Sequence, residues 1–141
     1  MWELFSSEVL DAIKYAQKLA MENSRESVLS QDLLLGSIVS ARGELYHVLR
    51  DFGITIEEAR KLYSPDSRSE NISCEIGFSV MVKHIFALAC CLADNELLKQ
   101  VKLNHILLAI IFVENNKAYL MLVRMLTEKK ERFRLYLRGM I

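Results

Sequence analysis

The residues that could carry chemistry are few, and they do not group into a catalytic set. Asp32 and His105 are a carboxylate and an imidazole at matched positions of two similar segments, and such a pair can hold a metal or move a proton. His47 and His84 lie on predicted helices without a ligand-spaced partner, and no nucleophile–base arrangement stands out. We therefore expect structural roles for Asp32 and His105, with no catalytic residue, no metal and no cofactor.

The cysteines and the apolar segments set the expected compartment. Cys74, Cys90 and Cys91 form no Cys-x-x-Cys pair, so we expect reduced, mostly packed thiols and a cytoplasmic protein. No secretory signal is visible, and the most apolar run, 106–113, is too short to span a bilayer. A removed targeting segment would instead place the chain in an organelle matrix or stroma.

The last predicted helix, 128–138, is basic although the whole chain has a formal net charge of zero. Its net charge of +3 comes from Lys129, Lys130, Arg132, Arg134 and Arg138 against Glu128 and Glu131. The ordinary interpretation is a solvated helix face. A sharper one is a docking surface for acidic segments of a partner. Nucleic-acid binding is a weaker third, because the patch is short and the rest of the chain is not basic.

These residues belong to a sequence that repeats itself at an offset of 73 residues, without a gap, across residues 5–63. The matched pairs include Phe5/Phe78, Ser6/Ser79, Val9/Val82, Ala16/Ala89, Ala20/Ala93, Val28/Val101, Leu34/Leu107, Leu49/Leu122, Glu58/Glu131, Leu62/Leu135 and Tyr63/Tyr136. Such internal repetition determines the architecture before any single element is assigned.

The apolar spacing predicts helices throughout, because apolar residues recur at helical intervals and no stretch alternates as a strand would. In repeat one we expect a third helix over 43–51, ended by a left-handed Gly53. In repeat two the offset predicts helices at 79–94, 104–114, 116–125 and 128–138. Hydroxyl side chains are expected to cap four helices: Ser6 or Ser7, Ser30, Thr55 and Thr127.

Each repeat has a broad apolar face and too little mass to cover it alone, so the repeats should pack against each other. We predict an all-α fold, a compact eight-helix domain over 1–141 made of two four-helix repeats related by a pseudo-twofold axis. Matched alanines predict close approach between helices. The expected segments are repeat one at 5–63, a polar linker at 64–77 and repeat two at 78–138.

The motifs resemble those of the Clp N-terminal domain, the double-repeat helical module of Clp-type ATP-dependent unfoldases. The family's Thr-Glu-His-Leu-Leu-Leu-Gly motif corresponds to Ser30-Gln31-Asp32-Leu33-Leu34-Leu35-Gly36 and to Leu103-Asn104-His105-Ile106-Leu107-Leu108-Ala109. The resemblance implies a non-catalytic module above the ATPase ring that binds adaptors or substrate proteins. Related short proteins act as accessory subunits of Clp protease assemblies. No Gly-x-x-x-x-Gly-Lys-Ser/Thr motif for ATP phosphates occurs in the chain.

The resemblance also implies protein-binding residues. In some members the hydroxyl after the aromatic residue and the glutamate of the second motif recognise phosphorylated arginine. By position, Ser6 and Ser79 keep the hydroxyl, whereas Gln31 and Asn104 replace the glutamate. We expect two sites, Ser6 with Gln31 and Ser79 with Asn104, and lost or weak phosphoarginine binding because a neutral amide forms weaker hydrogen bonds than a carboxylate. The simplest role for both serines is helix capping.

The predicted function is therefore protein binding in a Clp system, without catalysis. The expected partners are Clp unfoldase or protease subunits, adaptors and substrate proteins, bound by a chain that is monomeric in isolation. No membrane or nucleic-acid partner is expected. One alternative is the same fold used outside Clp proteolysis as a scaffold or regulatory interaction domain. The other, a helical nucleic-acid-binding domain, is supported only by the basic last helix.

Overall fold

A computed structural model describes residues 4–64, 77–94 and 100–140. Their helices are α1 (Ser7–Glu22), α2 (Ser30–Ser40), α3 (Gly43–Asp51), α4 (Ile56–Leu62), α5 (Val80–Ala93), α6 (Leu103–Val113), α7 (Lys117–Leu126) and α8 (Lys130–Gly139). A 3-10 turn, Thr127–Lys129, joins α7 to α8, so these two can also be counted as one bent helix. The predicted all-α fold is confirmed. Apart from its end residues, the predicted linker lies outside the described residues, as does Cys74.

Side-chain capping occurs at four helix starts in the described part of the chain, three of them by hydroxyls and one by Asn116 Oδ1, which accepts from the Tyr119 N–H at 2.8 Å. Ser6 Oγ accepts a hydrogen bond from the Val9 N–H at 3.2 Å, and Thr55 Oγ1 accepts one from the Glu58 N–H at 3.3 Å. At the start of α5, Ser79 Oγ accepts a hydrogen bond from the Val82 N–H at 3.1 Å. The capping roles expected for Ser6, Ser79 and Thr55 are confirmed.

Two predicted caps were wrong. Ser30 is the first residue inside α2, and its hydroxyl accepts a hydrogen bond from the Ala118 N–H of repeat two at 3.2 Å. Thr127 has φ +55° and donates its hydroxyl proton to the Leu126 carbonyl oxygen. In both cases a tertiary contact or a tight turn takes the hydroxyl, so α2 and α8 begin without the expected cap.

The two repeats are joined by a reciprocal pair of isolated parallel bridges, Phe5 with Val101 and Val28 with Phe78. The Ser6 N–H donates to the Val101 carbonyl at 2.9 Å, and the Ser79 N–H donates to the Val28 carbonyl at 3.0 Å. The repeat offset relates these two bonds to each other. The start of each repeat's first helix is therefore bonded to the segment before the other repeat's second helix.

The core is built around α2 and α6, which are buried along most of their lengths and contact each other. A helix that is buried on all sides is central to a fold. Gly36 on α2 lets α1 approach closely, because an added Cβ would lie 2.2 Å from the Ala12 carbonyl oxygen. Ala16 and Ala89 are fully buried, in agreement with the predicted close packing at matched alanines.

The repeat offset fails at the last helix. Ala59 is buried in α4, whereas its offset partner Arg132 is exposed and α8 instead buries Phe133 and Leu137. The connection explains the change: α7 extends beyond the offset position of the α3 end, and the turn at Thr127 then redirects the chain. The sequence identities of α4 with α8 therefore do not mark structurally equivalent residues.

Among the described residues, no single helix is long and apolar enough to cross a membrane. One bent pair meets the length and composition criteria together, Leu103–Val113 with Lys117–Gly139, and its two parts meet at 99°.

Candidate functional site

The structure pairs the predicted site residues across the repeats rather than within them. Ser6 and Asn104 line the same cleft, and the Ser79 backbone is bonded to Val28, just ahead of Gln31. The predicted pairs Ser6/Gln31 and Ser79/Asn104 were therefore wrong. Because the bridges join the start of α1 to the start of α6, each candidate site takes one residue from each repeat. We call the Ser6/Asn104 side the open junction and the Ser79/Gln31 side the closed junction.

At the closed junction the two candidate side chains, Gln31 and Ser79, are both buried and hydrogen-bonded. Gln31 is fully buried, its Oε1 accepts from the Ser64 N–H at 3.0 Å, and its Nε2 donates to the Ser64 carbonyl. Ser79 is also fully buried, and its hydroxyl caps α5. These two hydrogen bonds of Gln31 hold Ser64, which follows α4, against the first turn of α2.

The open junction is a cleft of about 380 Å³. Asn104 contributes its side chain to the wall and is only 4% exposed. Its Nδ2 is buried and has no hydrogen-bond partner within the described part of the chain. An unpaired buried donor costs about 1–3 kcal/mol. An acceptor that came within hydrogen-bond distance of Nδ2 would remove that cost. The other lining residues are Ser6, Ser7, Glu8, Arg42, Glu44, Leu45, Gln100, Lys102, Leu103 and Met140.

The rest of the cleft offers polar groups of both signs. Lys102 and Arg42 supply positive charge, and Glu8 and Glu44 supply negative charge. Arg42 also forms an exposed ion pair with Asp11 at 3.0 Å, a kind of pair that contributes little energy. The first turn of α1 opens into the cleft, and first-turn N–H groups have no acceptor within their own helix. The cleft can therefore bind main-chain carbonyls and polar side chains.

A buried charge network holds repeat one together near the closed junction. Arg25 makes two bonds to the Asp32 carboxylate, at 2.6 and 2.8 Å. Tyr63 OH donates to Asp32 Oδ1 at 2.5 Å and accepts from Arg25 at 2.6 Å. The bond to Asp32 raises the pKa of Arg25. Burial, with the Asp32 bond, raises the pKa of Tyr63 well above its ordinary value. The network anchors the end of α4 and so keeps Ser64 beside Gln31.

The position of Asp32 is filled in repeat two by His105, which is fully buried. Its Nδ1 accepts a hydrogen bond from the Lys102 N–H at 2.9 Å. Asp32 makes the equivalent bond, accepting from the Leu29 N–H at 2.9 Å. Both side chains therefore stabilise the first turn of a central helix, and their predicted structural roles are confirmed. No group of three or more His, Cys, Asp or Glu side chains suited to a metal ion occurs among the described residues.

Sequence reasoning missed the walls of the open junction. Glu44 comes from α3 and Met140 follows α8, so only tertiary packing brings them to the start of α1. It also missed Arg25, whose offset partner in the sequence is Leu98. A signal for Arg25 was the carboxylate of Asp32 next to the apolar run Leu33-Leu34-Leu35. A carboxylate buried with such a run needs a positively charged partner.

Comparison with known proteins identifies the fold. The sequence model of the family described as Clp repeat (R) N-terminal domain matches residues 4–125. The structure is similar to the crystal structure of the N-terminal domain of the caseinolytic protease associated chaperone ClpD from Arabidopsis thaliana. The TM-score is 0.76 at 23% sequence identity, over 99% of this chain and 98% of that chain. At this identity the likeness shows the fold alone. No curated protein matches the chain in sequence.

Proposed function

Because this chain belongs to the Clp N-terminal domain family, we propose that it binds adaptor or substrate proteins, or docks to ring subunits, in a Clp unfoldase or protease system. In Clp unfoldases, domains of this family mediate interaction with adaptors and substrates. The binding would be non-covalent, by a chain that is monomeric in isolation and performs no catalysis of its own.

The observation that carries the proposal is the unpaired amide of Asn104 in the open junction. A bound protein segment would place a carbonyl oxygen against Asn104 Nδ2 and satisfy a buried donor that has no partner among the described residues. The N–H groups of Ser7 and Glu8, in the first turn of α1, would hold further oxygens of the same segment. The closed junction would not take part, because Gln31 already uses its amide on Ser64.

Phosphoarginine is not the expected ligand. A carboxylate that could fork to a guanidinium is absent at positions 31 and 104, and a charge-assisted hydrogen bond is roughly twice as strong as a neutral one. Calorimetric titration with free phosphoarginine should show no binding or weak binding. A low-micromolar affinity would overturn this part of the proposal.

The proposal is tested with the immobilised chain in lysate of its source cells. Captured proteins would be quantified by mass spectrometry for the wild type, for Asn104→Leu and for Asn115→Leu, an exposed asparagine outside the cleft. We expect Clp unfoldase or protease subunits with the wild type and Asn115→Leu. Asn104→Leu should recover about tenfold less, because truncating a central contact costs more than 1 kcal/mol.

Two results would contradict the proposal. Recovery of unrelated proteins without any Clp component would mean that the fold serves a scaffold or regulatory role outside Clp proteolysis. Equal recovery of Clp subunits by Asn104→Leu would mean that docking takes place elsewhere on the domain.

A further inference from the structure

We propose that α8 extends the open junction into a second, largely apolar arm that carries the basic side chain of Arg132. The whole groove would bind an extended segment of a partner protein in which an apolar side chain is flanked by acidic residues. This inference rests on the proposed function, because it lengthens the same site and specifies the chemistry of its occupant.

The two parts of the groove are continuous. The arm is a cleft of about 340 Å³ along α8, and Glu44 and Met140 line both this cleft and the open junction. A segment bound at Asn104 can therefore continue past Glu44 and Met140 to the outer face of α8. The remaining lining residues of the arm are Arg132, Leu135, Tyr136 and Gly139.

The arm presents apolar side chains that the fold leaves uncovered. Leu135 is 61% exposed and Tyr136 is 54% exposed. Arg132 lies one helical turn before them on the same face. The break in the repeat offset produces this exposure, because α8 turns Phe133 and Leu137 inward. Tyrosine and arginine are enriched among the residues that dominate binding energy at protein interfaces.

The basic side chains of α8 favour an acidic occupant, and Arg132 is the one that lines the arm among the described residues. Two basic residues of this region are already engaged, since Lys130 donates to the Tyr119 hydroxyl at 2.8 Å and Arg134 pairs with Glu131 at 2.8 Å. Arg132 and Arg138 have no carboxylate at ion-pair distance within residues 4–64, 77–94 and 100–140.

The guanidinium of Arg132 lies 5.5 Å from the centre of the Phe52 ring, which holds it at the edge of the arm. Its charge complements an acidic side chain beside the apolar anchor of the bound segment. Glu44, at the junction of the two clefts, disfavours an acidic residue there. A phosphate backbone would need a longer basic track than these two arginines provide, so the observations favour an acidic protein segment over a nucleic acid.

The test uses the intact chain and an array of labelled extended peptides, each with one leucine among glutamates at varied spacing. Control peptides replace the glutamates by lysines or the leucine by serine. Binding would be measured by fluorescence anisotropy for the wild type, Arg132→Glu and Leu135→Ser. The matched controls are Arg124→Glu and Leu120→Ser, which change an exposed arginine and an exposed leucine on α7 that line neither cleft.

We expect the acidic, leucine-bearing peptides to bind and both control peptide types to bind poorly. Arg132→Glu and Leu135→Ser should each weaken binding about tenfold, as expected for anchor residues, while the two α7 variants keep wild-type affinity. Added salt should weaken binding, because the charged contacts are at the surface. All four substitutions are at exposed positions, and thermal melts would show that each variant remains folded.

Several results would overturn the inference. These are no binding by any acidic, leucine-bearing peptide, equal binding after leucine is replaced by serine, or equal losses in the α7 variants. Tight, steeply salt-dependent binding of a single-stranded RNA that displaces the peptide would assign the arm to nucleic acid. If Arg132→Glu and Leu135→Ser capture Clp subunits as the wild type does while Asn104→Leu does not, the proposed function stands and this inference fails.

Discussion

Repeat one starts its central helix with a buried carboxylate, whereas repeat two starts its central helix with a buried imidazole. Asp32 and His105 each accept a hydrogen bond at 2.9 Å from the N–H of the residue just before their helix, Leu29 and Lys102. The carboxylate also requires a cation, and Arg25 and Tyr63 supply its partners. In repeat one this bond therefore belongs to a network that reaches the end of α4, whereas in repeat two an imidazole makes the equivalent bond.

The ends of the two repeats differ in a way that separates the junctions. Helix α4 ends at Leu62, which leaves the backbone of Ser64 available for Gln31. Helix α8 continues to Gly139, so the backbone at the offset position, Leu137, lies inside a helix. No equivalent chain end ties down Asn104, whose amide remains unpaired among the described residues. The length of the last helix thus decides which junction is open.

The largest expected difference between the repeats comes from their buried polar residues. Asp32→Asn should lower the free energy of unfolding by about 3–5 kcal/mol, because it leaves Arg25 buried without its ion-pair partner. His105→Asn should cost about 1–2 kcal/mol, the range for a helix-start hydrogen bond. Urea unfolding of both variants checks this prediction. Equal losses would show that the Arg25 network does not stabilise repeat one more than His105 stabilises repeat two.

The next largest loss of stability is expected from a substitution where α1 crosses α2. Gly36→Ala puts a Cβ against the Ala12 carbonyl oxygen and should cost about 1–3 kcal/mol by overpacking. Repeat two already has Ala109 at the offset position, where it is fully buried. Gly139→Ala, in the last turn of α8 with open space around it, is the control and should be neutral or slightly stabilising. If thermal unfolding showed Gly139→Ala to be less stable than Gly36→Ala, the close approach of α1 to α2 at Gly36 would be contradicted.

Removing the side-chain amide should change the free energy of unfolding differently at Gln31 and at Asn104. Gln31→Leu should destabilise the chain by about 1–2 kcal/mol, because it removes the two hydrogen bonds between the Gln31 amide and the Ser64 backbone. Asn104→Leu should leave stability unchanged or raise it, since its donor has no partner among the described residues to lose. Chemical denaturation gives both values, and hydrogen exchange at the Ser64 amide should accelerate in the Gln31 variant alone. A comparable loss in both variants would mean that the junctions are equally closed.

The smallest expected effect is on how the free energy of unfolding changes at alkaline pH. Burial raises the pKa of Tyr63 above its ordinary value, so the folded chain keeps a proton that the unfolded chain releases above about pH 10. The contribution of Tyr63 to the free energy of unfolding is therefore full below that pH and falls as the pH rises toward the folded pKa. Tyr63→Phe should flatten this fall by about 1 kcal/mol per pH unit.

Tyr136→Phe is the matched control, because Tyr136 is half exposed on α8. It should leave the alkaline dependence as in the wild type. Urea unfolding across the alkaline range measures all three proteins. An identical slope for Tyr63→Phe and the wild type would contradict the buried state of the Tyr63 hydroxyl.

The sequence predicted the helices well because their apolar spacing is local and is repeated at the offset. Leu34 and Leu107, and Leu49 and Leu122, are buried in matching places. The matched pair Tyr63 and Tyr136 wrongly suggested equivalent environments. Tyr63 is bonded to Asp32, whereas Tyr136 lies on an exposed face of α8. A turn with positive φ at Thr127 causes that difference, and nothing in the spacing signals it.

The sequence predicted where the four candidate residues lie along the chain but not how they are paired. Ser6, Ser79, Gln31 and Asn104 do lie at helix starts, as the motif positions indicated. Their pairing depends on two bridges between segments far apart in the chain, which no local pattern encodes. The availability of Asn104, and the engagement of Gln31 by Ser64, likewise depend on where α4 and α8 end.

The most direct test of this account is hydrogen–deuterium exchange on the complex of the chain with the Clp component that the proposed function expects it to capture. Protection on binding should appear in segments 4–10 and 100–106, which form the open junction, and not in segments 28–34 and 77–83, which form the closed one. Protection confined to the second pair of segments would contradict the claim that the longer last helix leaves only the Ser6/Asn104 junction open for docking.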